Sequence, residues 1–163
     1  MTYLFDSNTF IEAARLYYSF ELAPGFWDWV ISDAMRGHIA SIEAVREEIS
    51  NGSGDLVDWA TRSVPDDFWR PVTEATLAAA QELSKWATDP LRGFKQAAVD
   101  QFLASCDYWL IAEGMASGLT VVTREASAPG SRKSIKIPDA CQPFGVHCEQ
   151  PFPVYQRLGL KLN

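Results

Sequence analysis

The sequence has few cysteines, no long apolar run and no basic excess, and each absence excludes a class of protein. Cysteine occurs only at Cys106, Cys141 and Cys148, without a CxxC pair or HxxxH spacing. This set indicates reduced thiols and neither a disulfide framework nor a zinc site. No apolar run approaches the roughly 18–20 residues that cross a bilayer, and the first residues lack the basic and apolar regions of a signal peptide. We therefore expect a cytoplasmic protein without membrane association.

The charge and composition also limit the function. The formal net charge is −7, which argues against a protein that coats nucleic acid through a basic surface. It leaves room for an enzyme with a local basic rim. Apolar residues make up 47% and charged residues 21% of the chain, an ordinary globular composition. With no internal repeat and no long linker, we predict a single domain over residues 1–163.

Short apolar stretches alternate with helical patterns along the chain. Apolar runs predict strands at 3–5, 38–40 and 119–122, and an alternating run predicts a last edge strand at 134–137. Helical spacing, with caps predicted at Asn8 or Thr9 and at Ser41, covers seven segments and a closing tail helix: 9–17, 24–36, 42–50, 55–62, 72–86, 95–103, 106–117 and the residues from 151. This alternation predicts a three-layer α/β fold with a small parallel sheet.

Three acidic residues lie where this fold would bring side chains together. Asp6 and Glu125 each follow a predicted strand, and Asp107 lies in the first turn of a predicted helix. The carboxyl ends of parallel strands share one edge of a sheet. Each acid alone is also explained as a turn former or a helix cap. Clustered carboxylates repel one another and need a cation, and oxygen ligands favour Mg²⁺ or Mn²⁺.

A fourth carboxylate is expected from the helix after the second strand, which offers Glu43, Glu47 and Glu48. Glu48 is favoured because the apolar face of this helix flanks it more closely than it flanks Glu47. Glu47 is the second choice, and Glu43 requires a different register. The helix acid therefore stays open among these three.

Four stretches resemble PIN domains. In YLFDSNTF (3–10), an apolar strand is followed by Asp, a small residue and Asn; CDYWLIAEG (106–114) resembles the PIN helix that starts with Asp. LTVVTRE (119–125) resembles the strand that ends in Thr-x-Asp, and VREEI (45–49) resembles the helix that carries Glu. The segment from 121 to 141 is similar to an uncharacterised bacterial PIN-like family, with Glu in place of the usual Asp.

This resemblance implies a PIN-like three-layer α/β/α fold and a Mg²⁺- or Mn²⁺-dependent endoribonuclease. Many such domains are toxins of type II toxin–antitoxin pairs, so the implied partners are RNA and a cognate antitoxin. The resemblance assigns four catalytic acids: Asp6, Glu48, Asp107 and Glu125. Of these, Asp6, Asp107 and Glu125 would bind the metal. Asn8 and Thr123 are assigned as polar helpers.

Basic residues follow the third predicted strand. Arg124, Arg132 and Lys133, with Lys136 beyond them, are predicted to hold the substrate backbone by charge. A solvated loop explains each of them equally well.

Two other functions remain open. The sequence DSNT resembles the aspartyl-phosphate loop of haloacid-dehalogenase-type phosphatases, although Asn8 stands where that mechanism needs a second Asp. Alternatively, the negative net charge and Glu125 fit a PIN-like fold that has lost activity and binds another protein. The apolar helix 26–30 is expected in the core, with a partner groove or a homodimer face as the alternative.

Overall fold

The structure is a computed structural model that describes residues 1–162. Those residues form five strands in one sheet, and every neighbouring pair is parallel. The strands lie in the spatial order β3-β2-β1-β4-β5. Their bounds are Tyr3–Phe5 (β1), Ile39–Ile42 (β2), Trp69–Arg70 (β3), Thr120–Val122 (β4) and Cys148–Glu149 (β5). Because all five strands run the same way, their carboxyl ends share one edge.

Helices connect and cover these strands, which confirms the predicted three-layer α/β fold with a small parallel central sheet. Two of the helices, α1 and α4, continue into π-helical turns at Ala13–Tyr17 and Trp59–Ser63. The helices are α1 (Ser7–Glu12), α2 (Pro24–Met35), α3 (Glu43–Ser50), α4 (Asp55–Asp58), α5 (Glu74–Thr88), α6 (Gln96–Ala104), α7 (Cys106–Ser117), α8 (Ile137–Cys141) and α9 (Pro151–Arg157). None of the helices within residues 1–162 is long and apolar enough to span a membrane.

The central strand β1 lies between β2 and β4 and is fully buried. Phe5 pairs with Val122 across the β1–β4 ladder, and its ring lies 5.6 Å from that of Phe10 and 6.1 Å from that of Tyr155. Apolar strands covered on both faces are typical of parallel sheets. The register places the residues after Phe5 and Val122 side by side at the carboxyl edge.

The apolar helix α2 packs into the core. Phe26, Trp27 and Val30 are each at most 2% exposed, and Phe26 stacks on Tyr18 at 4.4 Å between ring centroids. Trp29 is partly buried against the same core. The core interpretation of this helix is therefore confirmed, and these side chains do not form an open partner groove.

The predicted edge strand at 134–137 is wrong. Ile137 begins α8, where Pro138 occupies one of the first two helical positions, a place that suits the fixed φ angle of proline. The edge strand beside β4 is instead β5, which pairs Val121 with Cys148 and Val122 with Glu149. Neither β5 nor β3 was predicted, because a strand of two residues is too short to show a period.

Both predicted helix caps are also wrong. The N-cap of α1 is Asp6, whose side chain accepts a hydrogen bond from the backbone N–H of Thr9. Ser41 lies within β2 and not before α3; its hydroxyl donates to the carbonyl oxygen of Phe5 at 2.7 Å. Ser41 thus satisfies a backbone acceptor at the end of β1 instead of a helix end.

Candidate functional site

Asp6 is the buried carboxylate at the centre of the carboxyl edge. It follows β1, and its backbone N–H donates to the carbonyl oxygen of Val122 at 3.1 Å. Its Oδ1 accepts from the backbone N–H of Thr9 at 2.7 Å and from the Thr9 hydroxyl at 2.6 Å. Its Oδ2 accepts from the Thr123 hydroxyl at 2.6 Å. Three hydrogen bonds therefore hold both oxygens of a side chain that is 1% exposed.

The electrostatics of Asp6 reveal a neighbouring negative charge. Burial raises the pKa of Asp6 to about 6, although the hydrogen bonds from Thr123 and Thr9 oppose the rise. The charge of Glu125 raises it further. Asp6 and Glu125 therefore lie close enough to repel each other.

Asp107 joins these two acids from α7, where it is the second residue. Burial raises the pKa of Asp107 to about 7, and the charges of Glu125, Asp6 and Glu48 add to the rise in that order. The structure therefore brings together all four acids that the sequence placed in one set. They come from the ends of β1 and β4, from the start of α7 and from the last turn of α3.

Glu48 is the acid of α3 that faces this cluster. Its Oε2 accepts a hydrogen bond from Sγ of Cys106 at 2.8 Å, and the Cys106 thiol also lies 3.6 Å from the hydroxyl of Ser7. Glu47, in contrast, borders a separate surface depression between the end of α3 and the π-helical turn after α4. Cys106 had no predicted role, but its thiol connects the start of α7 to Glu48 on α3.

Glu125 is held at the opposite side by α8. Its Oε2 accepts from the backbone N–H of Ile137 at 2.7 Å, and its own backbone N–H donates to the Thr123 hydroxyl at 3.1 Å. Thr123 is 1% exposed. Its hydroxyl therefore links the carboxylate of Asp6 to the backbone of Glu125.

A small cleft opens beside these acids. It has a volume of about 130 Å³, and Asp107, Glu125 and Lys136 are among the side chains that line it. The remaining lining comes from α6, from the start of α7 and from the segment before α8: Ala98, Gln101, Phe102, Ser105, Ser134 and Ile135. Among the described residues, Lys136 is the cation that borders this cleft.

Residues 3–162 match the model of one protein family, described as Domain of unknown function (DUF4411). The chain belongs to the DUF4411 family. No curated protein and no solved structure matched the chain. All four acids of the cluster lie within the matched residues of this DUF4411 domain.

The predicted polar helpers differ in their placement in the DUF4411 domain. Thr123 contacts Asp6, as described above, whereas Asn8 is exposed on α1. Thr9, which was expected only as a helix cap, makes two of the hydrogen bonds to Asp6. The signal for Thr9 was present in the sequence, because a side chain three residues after an N-cap faces that cap.

The predicted substrate-binding cations lie outside the acid cluster. Arg124 packs against Tyr17 and forms an ion pair with Glu12 at 3.4 Å. Arg132 is exposed, and its Nη1 donates to the carbonyl oxygen of Pro129 at 3.3 Å. Lys133 is exposed as well. Of the basic residues after β4 that the structure describes, only Lys136 lines the cleft.

The donor chemistry of the cluster fits a hard divalent cation. Its available ligands are carboxylate oxygens, and burial together with the charges of neighbouring acids raises the pKa values of Asp6 and Asp107. Within residues 1–162, no three acidic, His or Cys side chains are placed to enclose a metal ion. Mg²⁺ commonly keeps several waters and binds through one or two carboxylates.

A second buried carboxylate belongs to the fold. Glu113, on α7, is 3% exposed; its Oε1 accepts from Nε of Arg70 at 2.8 Å and its Oε2 from the Thr76 hydroxyl at 2.9 Å. These bonds join β3, α5 and α7. Because its charge is paired, Glu113 differs from the acids at the carboxyl edge.

Proposed function

We propose that this DUF4411 domain is a metal-dependent endoribonuclease that hydrolyses RNA phosphodiester bonds, as its resemblance to PIN domains implies. The observation that supports this proposal is the meeting of four carboxylates, Asp6, Glu48, Asp107 and Glu125, from four separate elements. Isolated acids at strand ends and helix starts are common, whereas a shared, unneutralised cluster requires a reason. Metal-assisted phosphodiester hydrolysis uses a centre of this kind, because it brings a cation and a positioned water to the phosphate together.

The side chains of the cluster have distinct tasks under this proposal. Thr9 and Thr123 keep the carboxylate of Asp6 in one orientation through three hydrogen bonds. Asp107 and Glu125 line the cleft, where a carboxylate oxygen of either can hold or deprotonate the attacking water. A bound Mg²⁺ or Mn²⁺ lowers the pKa of a water and offsets charge on the phosphate. Lys136 borders the same cleft and supplies a positive charge for the phosphate backbone.

We further propose that the nuclease acts in the cytoplasm as a toxin whose activity a partner protein blocks. This part rests on the resemblance alone. Expression in a bacterial host should inhibit growth, and Asp107→Asn should relieve the inhibition at equal protein levels. If the two proteins inhibit growth equally, the toxin role is refuted.

The decisive experiment is cleavage of end-labelled RNA of mixed sequence by purified protein in Mn²⁺, in Mg²⁺ and in EDTA. Cleavage should need a divalent ion, and its products should lack a 2′,3′-cyclic phosphate, because water and not the ribose 2′-hydroxyl attacks. Asp107→Asn should abolish cleavage, whereas Asp100→Asn, an exposed acid on neighbouring α6, serves as the matched control. Metal-independent cleavage, or equal activity of the two variants, contradicts the proposal.

The two alternative functions make different demands on the same residues. A phosphatase that forms an aspartyl phosphate needs an accessible nucleophile and a second acid, but Asp6 is 1% exposed and Asn8 points to solvent. An inactive binding module predicts that Mn²⁺ does not raise the unfolding temperature of the wild-type protein. A Mn²⁺-induced rise that Asp107→Asn removes would favour the enzyme.

A further inference from the structure

Beside the acid cluster, two aromatic rings lie against the guanidinium of Arg124. Its Cζ is 4.8 Å from the ring centroid of Tyr17 and 5.5 Å from that of Phe152. The two rings also meet each other edge to face, with centroids 5.3 Å apart. Tyr17 is 44% exposed, Phe152 is 37% exposed, and the Arg124 side chain is 32% exposed. We call this set of three residues the aromatic–arginine patch.

The chain connects this patch directly to the acid cluster. Arg124 lies between Thr123, which bonds to Asp6, and Glu125, which lines the cleft. The side-chain amide of Gln150 donates to the carbonyl oxygens of Arg124 and Glu125 at 3.4 and 3.3 Å. Because α9 begins at the next residue, Phe152 is held against the same rim. The patch and the cleft therefore lie at the same carboxyl edge, although no side chain of the patch lines the cleft itself.

The patch leaves both of its large rings partly in water. The hydroxyl of Tyr17 accepts from Nη1 of Arg124, and Glu12 lies 3.4 Å from the same guanidinium. These contacts hold Arg124 in place and leave exposed ring surface beside a cation. In a protein of net charge −7, such a cationic and aromatic surface suits a ligand that carries both negative charge and flat rings.

We propose that the aromatic–arginine patch is a stacking subsite for an unpaired base of a single-stranded nucleic acid. This inference rests on the proposed nuclease function and adds the form of substrate that the site accepts. A ring presents a face on which any base can stack, with about 1–3 kcal/mol for each stacked base. In a duplex those faces are covered by neighbouring base pairs, so the patch selects strands with unstacked bases.

The test compares two labelled oligonucleotides of equal length and charge, a uridine strand of about eight residues and its abasic counterpart. Binding to the wild-type protein is measured by fluorescence anisotropy in EDTA, so that neither metal binding nor cleavage contributes. The wild-type protein should bind the base-bearing strand about 5- to 150-fold more tightly, the ratio that corresponds to about 1–3 kcal/mol. Tyr17→Leu and Phe152→Leu, which keep apolar volume, should each reduce this ratio to below about 3-fold.

Two further variants separate stacking from loss of fold. Tyr17→Trp supplies a larger ring and should keep the ratio. Met35→Ala removes a more exposed apolar side chain, at 75% exposure, from the end of α2 before β2, away from the carboxyl edge, and should also keep the ratio. Equal affinity of the wild-type protein for both strands, or a ratio that survives Tyr17→Leu and Phe152→Leu, would overturn the subsite. A dimer that dissociates on Tyr17→Leu, together with equal affinities, would assign the patch to a second copy of the chain.

The outcomes for the subsite and for the nuclease are distinguishable. Metal-dependent cleavage with no preference for bases leaves the nuclease standing and refutes the subsite. A base preference that depends on Tyr17, without cleavage in Mn²⁺, supports the subsite and refutes the nuclease.

Discussion

Replacing Asp107 by Asn should stabilise the metal-free protein at pH 8 although it removes cleavage. In the folded protein, burial and the charges of Glu125, Asp6 and Glu48 raise the pKa of Asp107 from 3.8 to about 7. At 1.36 kcal/mol for each pKa unit, charging Asp107 at pH 8 costs about 4 kcal/mol of folding free energy. Asn avoids this cost, but it loses about 0.3–1 kcal/mol of attraction to the N-terminus of α7. Solvent also screens part of the repulsion at this partly exposed site, so we expect a net gain of about 1–3 kcal/mol.

The pH dependence of this gain follows from the direction of the shift. The folded protein keeps the proton on Asp107 up to about pH 7, whereas the unfolded chain releases it near 3.8. The folded state therefore binds more protons in this window, and the contribution of Asp107 to stability falls as the pH rises through it. Roughly less than half of the gain should remain at pH 5, and almost none below pH 4.

Urea denaturation in EDTA at pH 5 and pH 8 measures both quantities. Asp100→Asn is the control, since an exposed acid outside the cluster should change stability by no more than about 0.5 kcal/mol. If Asp107→Asn is no more stable than the wild-type protein at pH 8, or if its gain is as large at pH 5, the acids do not share one electrostatic site.

Three further substitutions test other parts of the arrangement. Thr123→Val should lower the free energy of unfolding at pH 8 by about 1.5–3 kcal/mol, because it removes a hydrogen bond to a buried carboxylate; Thr123→Ser should retain most of it in the same urea assay. Arg70→Gln should lower the free energy of unfolding by about 1–3 kcal/mol, because it leaves the buried carboxylate of Glu113 without its ion-pair partner. The Mn²⁺-induced rise in unfolding temperature should stay unchanged, and an altered rise would place Glu113 in the functional site. Glu48→Gln should slow RNA cleavage about 10- to 1,000-fold, whereas Glu47→Gln should stay within about 2-fold of the wild-type rate. If Glu47→Gln slows cleavage more than Glu48→Gln does, Glu47 is the catalytic acid of α3.

The sequence was sufficient for the features that follow from strong local patterns. Apolar runs that end in a charge located Asp6 and Glu125 at strand ends, and parallel topology then required those ends to meet. The same reasoning predicted a three-layer α/β fold, which the structure confirms. This prediction did not depend on the two-residue edge strands β3 and β5, because β1, β2 and β4 alone define the carboxyl edge.

The remaining features depend on contacts between distant residues. Nothing in the local sequence of Ser134–Ile137 distinguishes an edge strand from the lead into a helix, and only the pairing of β5 with β4 decides it. The interpretation of Arg124 as a free substrate-binding cation likewise could not include its contacts with Tyr17 and Phe152, which are distant in sequence. The choice of Thr9 over Asn8 as the partner of Asp6 follows from the start of α1, which the sequence placed two residues too late.

The contacts of Glu125 explain why a glutamate can stand where the resemblance leads one to expect aspartate. Its backbone is bound to the Thr123 hydroxyl beside β1, while its carboxylate accepts the backbone N–H of Ile137 at the start of α8. The longer side chain thus spans from the end of β4 to another element, and one of its oxygens is committed to that contact. The oxygen that accepts from Ile137 fixes the position of this carboxylate, and its charge adds to the burial that raises the pKa values of Asp6 and Asp107. The longer side chain of a glutamate therefore reaches α8 and still acts on both acids of the cluster.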